Sequence, residues 1–110
     1  MNRAEIFVIG LFADETGKFE EELNNLIPAG EPWHKIEPCD CGGLACLGTD
    51  VFVAIIEERH LDWDRFKDTV KNVPIWDPEA DPDDIQLLIR TEHEDRFTLY
   101  SRDEFLAHEF

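Results

Sequence analysis

Cationic side chains are what this chain has least of: ten Lys and Arg stand against 26 Asp and Glu, for a net charge of −16. A surface so poor in cations repels phosphate, so direct binding to nucleic acid or to anionic membrane is not expected, whereas basic partners are favoured. Long apolar runs are also missing. No segment approaches the roughly 18 residues that a membrane helix needs. The apolar run from Ile6 to Ala13 is followed at once by Asp14 and Glu15, with no small-x-small cleavage pattern, so it does not read as a secretory signal. Three cysteines, an odd number in one short stretch, give no secreted disulfide framework, and a cytoplasmic location is expected.

Catalytic signatures are absent too. Gly42-Gly43 is not G-x-G-x-x-G, and no Lys-Ser or Lys-Thr follows to hold a phosphate. His60, His93 and His108 lie far apart with no nucleophile motif beside them, and there is one Tyr. Neighbouring acids are so frequent that their adjacency says nothing about acid–base chemistry. No catalytic residue is assigned, and the chain is not expected to be an enzyme.

What is present is core-forming material. Of the 110 residues 43% are hydrophobic, including eight Phe and three Trp, enough to offset ordering entropy and rule out a disordered acidic chain. One domain, residues 1–110, is expected at this length. Residues 1–55 carry −7 and residues 56–110 carry −9, so the acidity is not a detachable tail.

Glu5 to Phe12 (EIFVIGLF) is apolar at odd and even positions alike, which predicts a mid-sheet strand buried on both sides. Phe19, Leu23, Leu26 and Ile27 then form a helical stripe that leaves Glu20, Glu21, Glu22 and Asn24 towards water. Thr16 or Asp14 is available as its cap, and Pro28 with Gly30 ends it. A short edge strand is predicted around Trp33–Glu37, confined by Pro32 and Pro38, and such an edge could also pair in a dimer. A second apolar strand covers Val51–Ile56, and Asp62 caps a helix with the stripe Trp63, Phe66, Val70 and Val73, stopped by Pro74. Residues Ile75–Asp84 (IWDPEADPDD) read as a loop. Ile85–Ile89 is another apolar strand, Glu92–Asp95 a turn and Phe97–Tyr100 a further strand. Ser101 and Glu104 form an S-x-x-E capping box that opens a short C-terminal helix burying Phe105.

This order, with the segment near Trp33 counted as a strand, is β-α-β-β-α-β. It is the order of a ferredoxin-like split β-α-β sheet, an α+β fold, with an added C-terminal strand and short helix. That topology places the first and third strands centrally, and the added strand shields the one at Ile85. Other antiparallel or mixed orders of three or four strands remain open, and the fold hosts many functions.

Two candidate sites follow. His34, Cys39, Cys41 and Cys46 (H-x4-C-x-C-x4-C) have the ligand count for zinc, with Gly42, Gly43 and Gly48 allowing the loop to fold. One residue between Cys39 and Cys41 differs from the arms of familiar zinc sites, and thiols packed as small apolar groups are the favoured reading over a bound metal. The other candidate is Trp76 followed by Asp77, Glu79, Asp81, Asp83 and Asp84. An aromatic beside carboxylates suits a protein interface, although a core-packed Trp with solvated acids is an equal reading. An EF-hand is excluded, because Pro82 and Leu88 occupy the positions that need glycine and a bidentate Glu.

The leading expectation is an acidic binding protein that occludes a basic partner by nucleic-acid mimicry: an inhibitor or immunity protein acting on a nuclease toxin or a nucleoprotein complex. The alternatives are a metal-binding or regulatory domain built on the His34 and cysteine loop, and a small ligand-binding ferredoxin-like domain with a deep apolar pocket. The acidity is equally explained as a solubility or halophilic adaptation. Oligomeric state is not legible.

Overall fold

A computed structural model describes residues 2–10, 17–26, 33–36, 50–76, 78 and 81–110. The chain is an α+β protein whose described residues form a five-stranded antiparallel sheet and four short helices. The strands are β1 (Arg3–Gly10), β2 (His34–Ile36), β3 (Asp50–Glu57), β4 (Ile85–Thr91) and β5 (Thr98–Ser101), and the helices are α1 (Lys18–Asn24), α2 (Trp63–Lys71), α3 (Val73–Trp76) and α4 (Arg102–Ala107). The sheet order is β2-β3-β1-β4-β5. β1 is central, paired along its length with β3 (Ile6 opposite Ala54) and with β4 (Ile6 opposite Ile89).

Strand alternation fixes one packed face. Ala4, Ile6 and Val8 of β1, Phe52, Ala54 and Ile56 of β3, and Ile85, Leu87 and Ile89 of β4 are buried there. They form one core with Phe19 and Leu23 of α1, Phe66 and Val70 of α2, Val73 of α3 and Phe105 of α4. Aromatic edges join the layers: Phe19 meets Phe52 at 5.6 Å, and Phe66 meets Phe105 at 5.0 Å and Trp33 at 5.5 Å. Each fully buried side chain of this size contributes about 1.5–3 kcal/mol.

The expectation that β1 is buried on both sides needs correction. Glu5, Phe7 and Ile9 are only partly covered, and Ile55 of β3, on the same side, is 60% exposed. Apolarity at both parities identified a central strand, yet the described helices pack against one face only.

Helix ends follow local chemistry. Asp62 caps α2 by accepting the Arg65 amide at 3.2 Å. Ser101 and Glu104 cap α4 reciprocally at 3.2 and 3.1 Å. α1 begins at Gly17, whose φ of 69° puts it in the left-handed region, and no side chain of the described residues caps it. Asp14 and Thr16, like Ile27, Pro28 and Gly30, lie outside the described residues. Pro74 does not stop the helical path: α2 ends at Lys71, Asn72 turns the chain, and Pro74 sits in the first turn of α3, where its missing N–H is not needed. Ile75–Asp84 is accordingly not all loop, since Ile75 and Trp76 belong to α3 and Pro82–Asp84 forms a 3-10 turn.

Candidate functional site

Trp76 is the first residue of the acidic candidate, and it packs half-buried against the core rather than projecting as an anchor. Asp81 accepts the Asp83 amide at 3.0 Å, and Asp84 reaches back to the Asp81 amide at 3.3 Å. Two of the loop carboxylates therefore build the 3-10 turn, and Asp83 projects from it, exposed. Asp77 and Glu79 lie outside the described residues.

The helices add acids that the reading of the 76–84 stretch missed. On α2, Asp64 and Asp68 are exposed and four residues apart, hence on one helical face. Among the described residues, neither they nor Asp83 and Glu109 have a Lys or Arg within ion-pair distance. Ion pairs among the described residues include Lys18–Glu22 (2.9 Å), Lys35–Asp50 (3.6 Å), Arg59–Glu57 (2.7 Å), Arg90–Glu5 (2.6 Å) and Arg102–Asp103 (3.3 Å). Several cations serve structure: Arg102 donates to the carbonyl of Lys71 at the C-terminal end of α2 (3.4 Å), and Lys67 donates to the carbonyl of His108.

Perturbed ionisations have structural causes. The Thr91 hydroxyl (2.6 Å) and amide (3.1 Å) donate to Glu94 and hold its carboxyl below the usual range. Hydrogen bonds from Ser101 do the same for Glu104, as does Arg59 for Glu57. Burial pushes the Tyr100 hydroxyl above its usual value.

Of the zinc candidate, only His34 is placed: it is exposed on β2, opposite Val53. Cys39, Cys41 and Cys46 lie outside the described residues. Among the described residues no three His, Cys, Asp or Glu side chains converge as a metal site. The histidines are dispersed, with His60 at 3.6 Å from Glu57 and His108 against Tyr100 and Phe110. Trp33, adjacent to His34, is core: it is 4% exposed and its amide donates to Asn24 at 3.0 Å.

Two open grooves involve described residues. One, of about 470 Å³, is bordered by Asn2, Glu57, Glu58 and Arg59, and the other, of about 200 Å³, by Arg3, Glu5, Arg90, Thr91 and Glu92. Both are open surface grooves with charged side chains at their borders. No described helix is long and apolar enough to cross a membrane.

The other surface that sequence reasoning missed is the open face of the sheet, where Ile36, Ile55, Phe97 and Leu99 are 49%, 60%, 40% and 55% exposed. The available signal was indirect: strands apolar at both parities, beside too few amphipathic helices to cover two faces. Comparison with protein-family models, curated proteins and solved structures finds no match.

Proposed function

We propose that this chain is a cytoplasmic, non-catalytic acidic protein that binds and occludes a basic partner, with its carboxylates standing in for a phosphate backbone. The observation that carries this reading is the net charge of −16, with Asp64, Asp68, Asp83 and Glu109 exposed and outside ion-pair distance of any Lys or Arg among the described residues, although α2 also carries Arg65, Lys67 and Lys71. Fixed negative charge on a rigid scaffold steers a cationic cleft into contact and speeds encounter. A basic nuclease, including a nuclease toxin, or a nucleoprotein complex is the class of partner that suits it.

We infer further that the fold is ferredoxin-like. In support, the strands from β1 to β4 lie in the order β2-β3-β1-β4, all antiparallel, as in a split β-α-β sheet, with β5 and α4 appended. In this reading the contact surface combines the acids of α2 with Asp83, while Trp76 packs against the core.

Inhibition of basic nucleases, with the wild-type chain compared against Asp64→Asn/Asp68→Asn and Asp83→Asn, tests the proposal. Inhibition that weakens in the helix variant is expected. Undiminished inhibition in both variants dismisses this surface.

A further inference from the structure

We propose that two copies of this chain associate back to back through the open face of the sheet. This goes beyond the acidic-partner reading and does not depend on it.

Strand register defines the face. Phe7 of β1 lies between Val53 of β3 and Leu88 of β4, Ile9 lies opposite Val51, Ile36 of β2 lies opposite Val51, and Leu99 of β5 lies opposite Leu88. Phe97 closes one side with its ring edge-on to Phe7 at 5.6 Å. The result is a continuous apolar surface across all five strands, larger than the scattered apolar residues normal on a monomer.

Charge identifies the occupant. The four formal charges that register places on this face, Arg3 and Arg90 against Glu5 and Glu57, cancel. The described strand residues of this face therefore carry no net charge, and Glu92 stands at its margin beside Arg3 and Arg90. A cationic protein gains nothing from this face that the helix side does not offer more strongly. A second copy, by contrast, meets a neutral apolar surface with its like, and the helix-side acids point away from the junction.

Area agrees. Strands spaced about 4.8 Å apart, with a rise of about 3.3 Å per residue, give this face roughly 500 Å². A pair would bury roughly 1,000 Å², the lower bound for a specific interface. Two such sheets stack about 10 Å apart.

The electrostatic signature is distinctive. Repulsion between two acidic bodies opposes this association, and salt screens it, so the dimer tightens as salt rises. Capture of a basic partner weakens with salt, so the two interactions move in opposite directions.

Sedimentation equilibrium at about 0.05 and 0.5 M salt, on the wild type and on Ile55→Glu and Leu99→Glu, tests the proposal. Both positions are more than half exposed, so the variants fold, as far-UV circular dichroism will verify. The expected result is a dimer that tightens with salt and is weakened by about 30-fold or more in each variant, as for a charge placed in an apolar interface. A chain monomeric at about 100 μM at both salt levels overturns the proposal. So does a dimer that withstands both substitutions, a dimer weakened by salt, or a monomer whose open face captures a different protein.

Discussion

Replacing Phe66 by Ala removes the ring that joins α2 to the rest of the core. Phe66 is fully buried, with neighbouring rings at 5.0 Å (Phe105), 5.5 Å (Trp33) and 6.2 Å (Trp63). Lost transfer free energy accounts for about 2–3 kcal/mol. The remaining cavity adds to this, because stiff aromatic neighbours cannot collapse into it as aliphatic chains can, and the total expected loss is about 4 kcal/mol. At about 0.1 kcal/mol per residue a chain of this length has a stability of about 11 kcal/mol, so the variant folds with a Tm lower by roughly 15 °C. Urea unfolding followed by tryptophan fluorescence is a direct assay, since Trp33 and Trp63 border the ring. The midpoint should fall with an unchanged slope, and Phe66→Leu should recover part of the loss. A loss below about 2 kcal/mol for the Ala variant would refute the claim that this aromatic junction is tightly packed.

Gly17→Ala should cost about 1–2 kcal/mol in the same assay, through the backbone, because among the described residues no atom beyond the immediate chain neighbours lies within 4 Å of the added methyl; Gly17→Asn should cost less, and equal stability of the Ala variant with wild type contradicts the left-handed start of α1. The depressed carboxyl of Glu94 contributes stability that is fully present above the usual glutamate value of 4.5 and is lost as pH falls through its lower folded-state value. Thr91→Val removes the hydroxyl donor, so the Glu94 titration followed by NMR should move upward. An unmoved titration contradicts the assignment of its cause.

Capping boxes and stripes were legible because their determinants lie within a few residues. Ser101 with Glu104, Asp62 before Trp63, and the Phe66–Val70–Val73 stripe each name their own partner. β1 was read correctly as central, but apolarity at both parities cannot distinguish a face covered by helices from one left open, which is a property of layering and not of the strand. Pro74 misled because proline is compatible with a helix's first turn, and only the break at Asn72 shows that a new helix begins there. The stretch from Trp76 to Asp84 was legible as acidic but not in its internal roles. Nothing in composition reveals that Asp81 and Asp84 bond to each other's turn, or that Trp76 turns inward. The exposed pair Asp64 and Asp68 was overlooked because attention to α2 fell on its buried stripe.

The ionic-strength dependence of binding to a basic nuclease tests the central claim most directly. Affinity should fall steadily as salt rises, and Asp64→Asn/Asp68→Asn should both weaken binding at low salt and flatten that dependence. Affinity indifferent to salt, or no association with cationic proteins even at low ionic strength, would contradict the proposal that exposed carboxylates such as Asp64 and Asp68 form the binding surface.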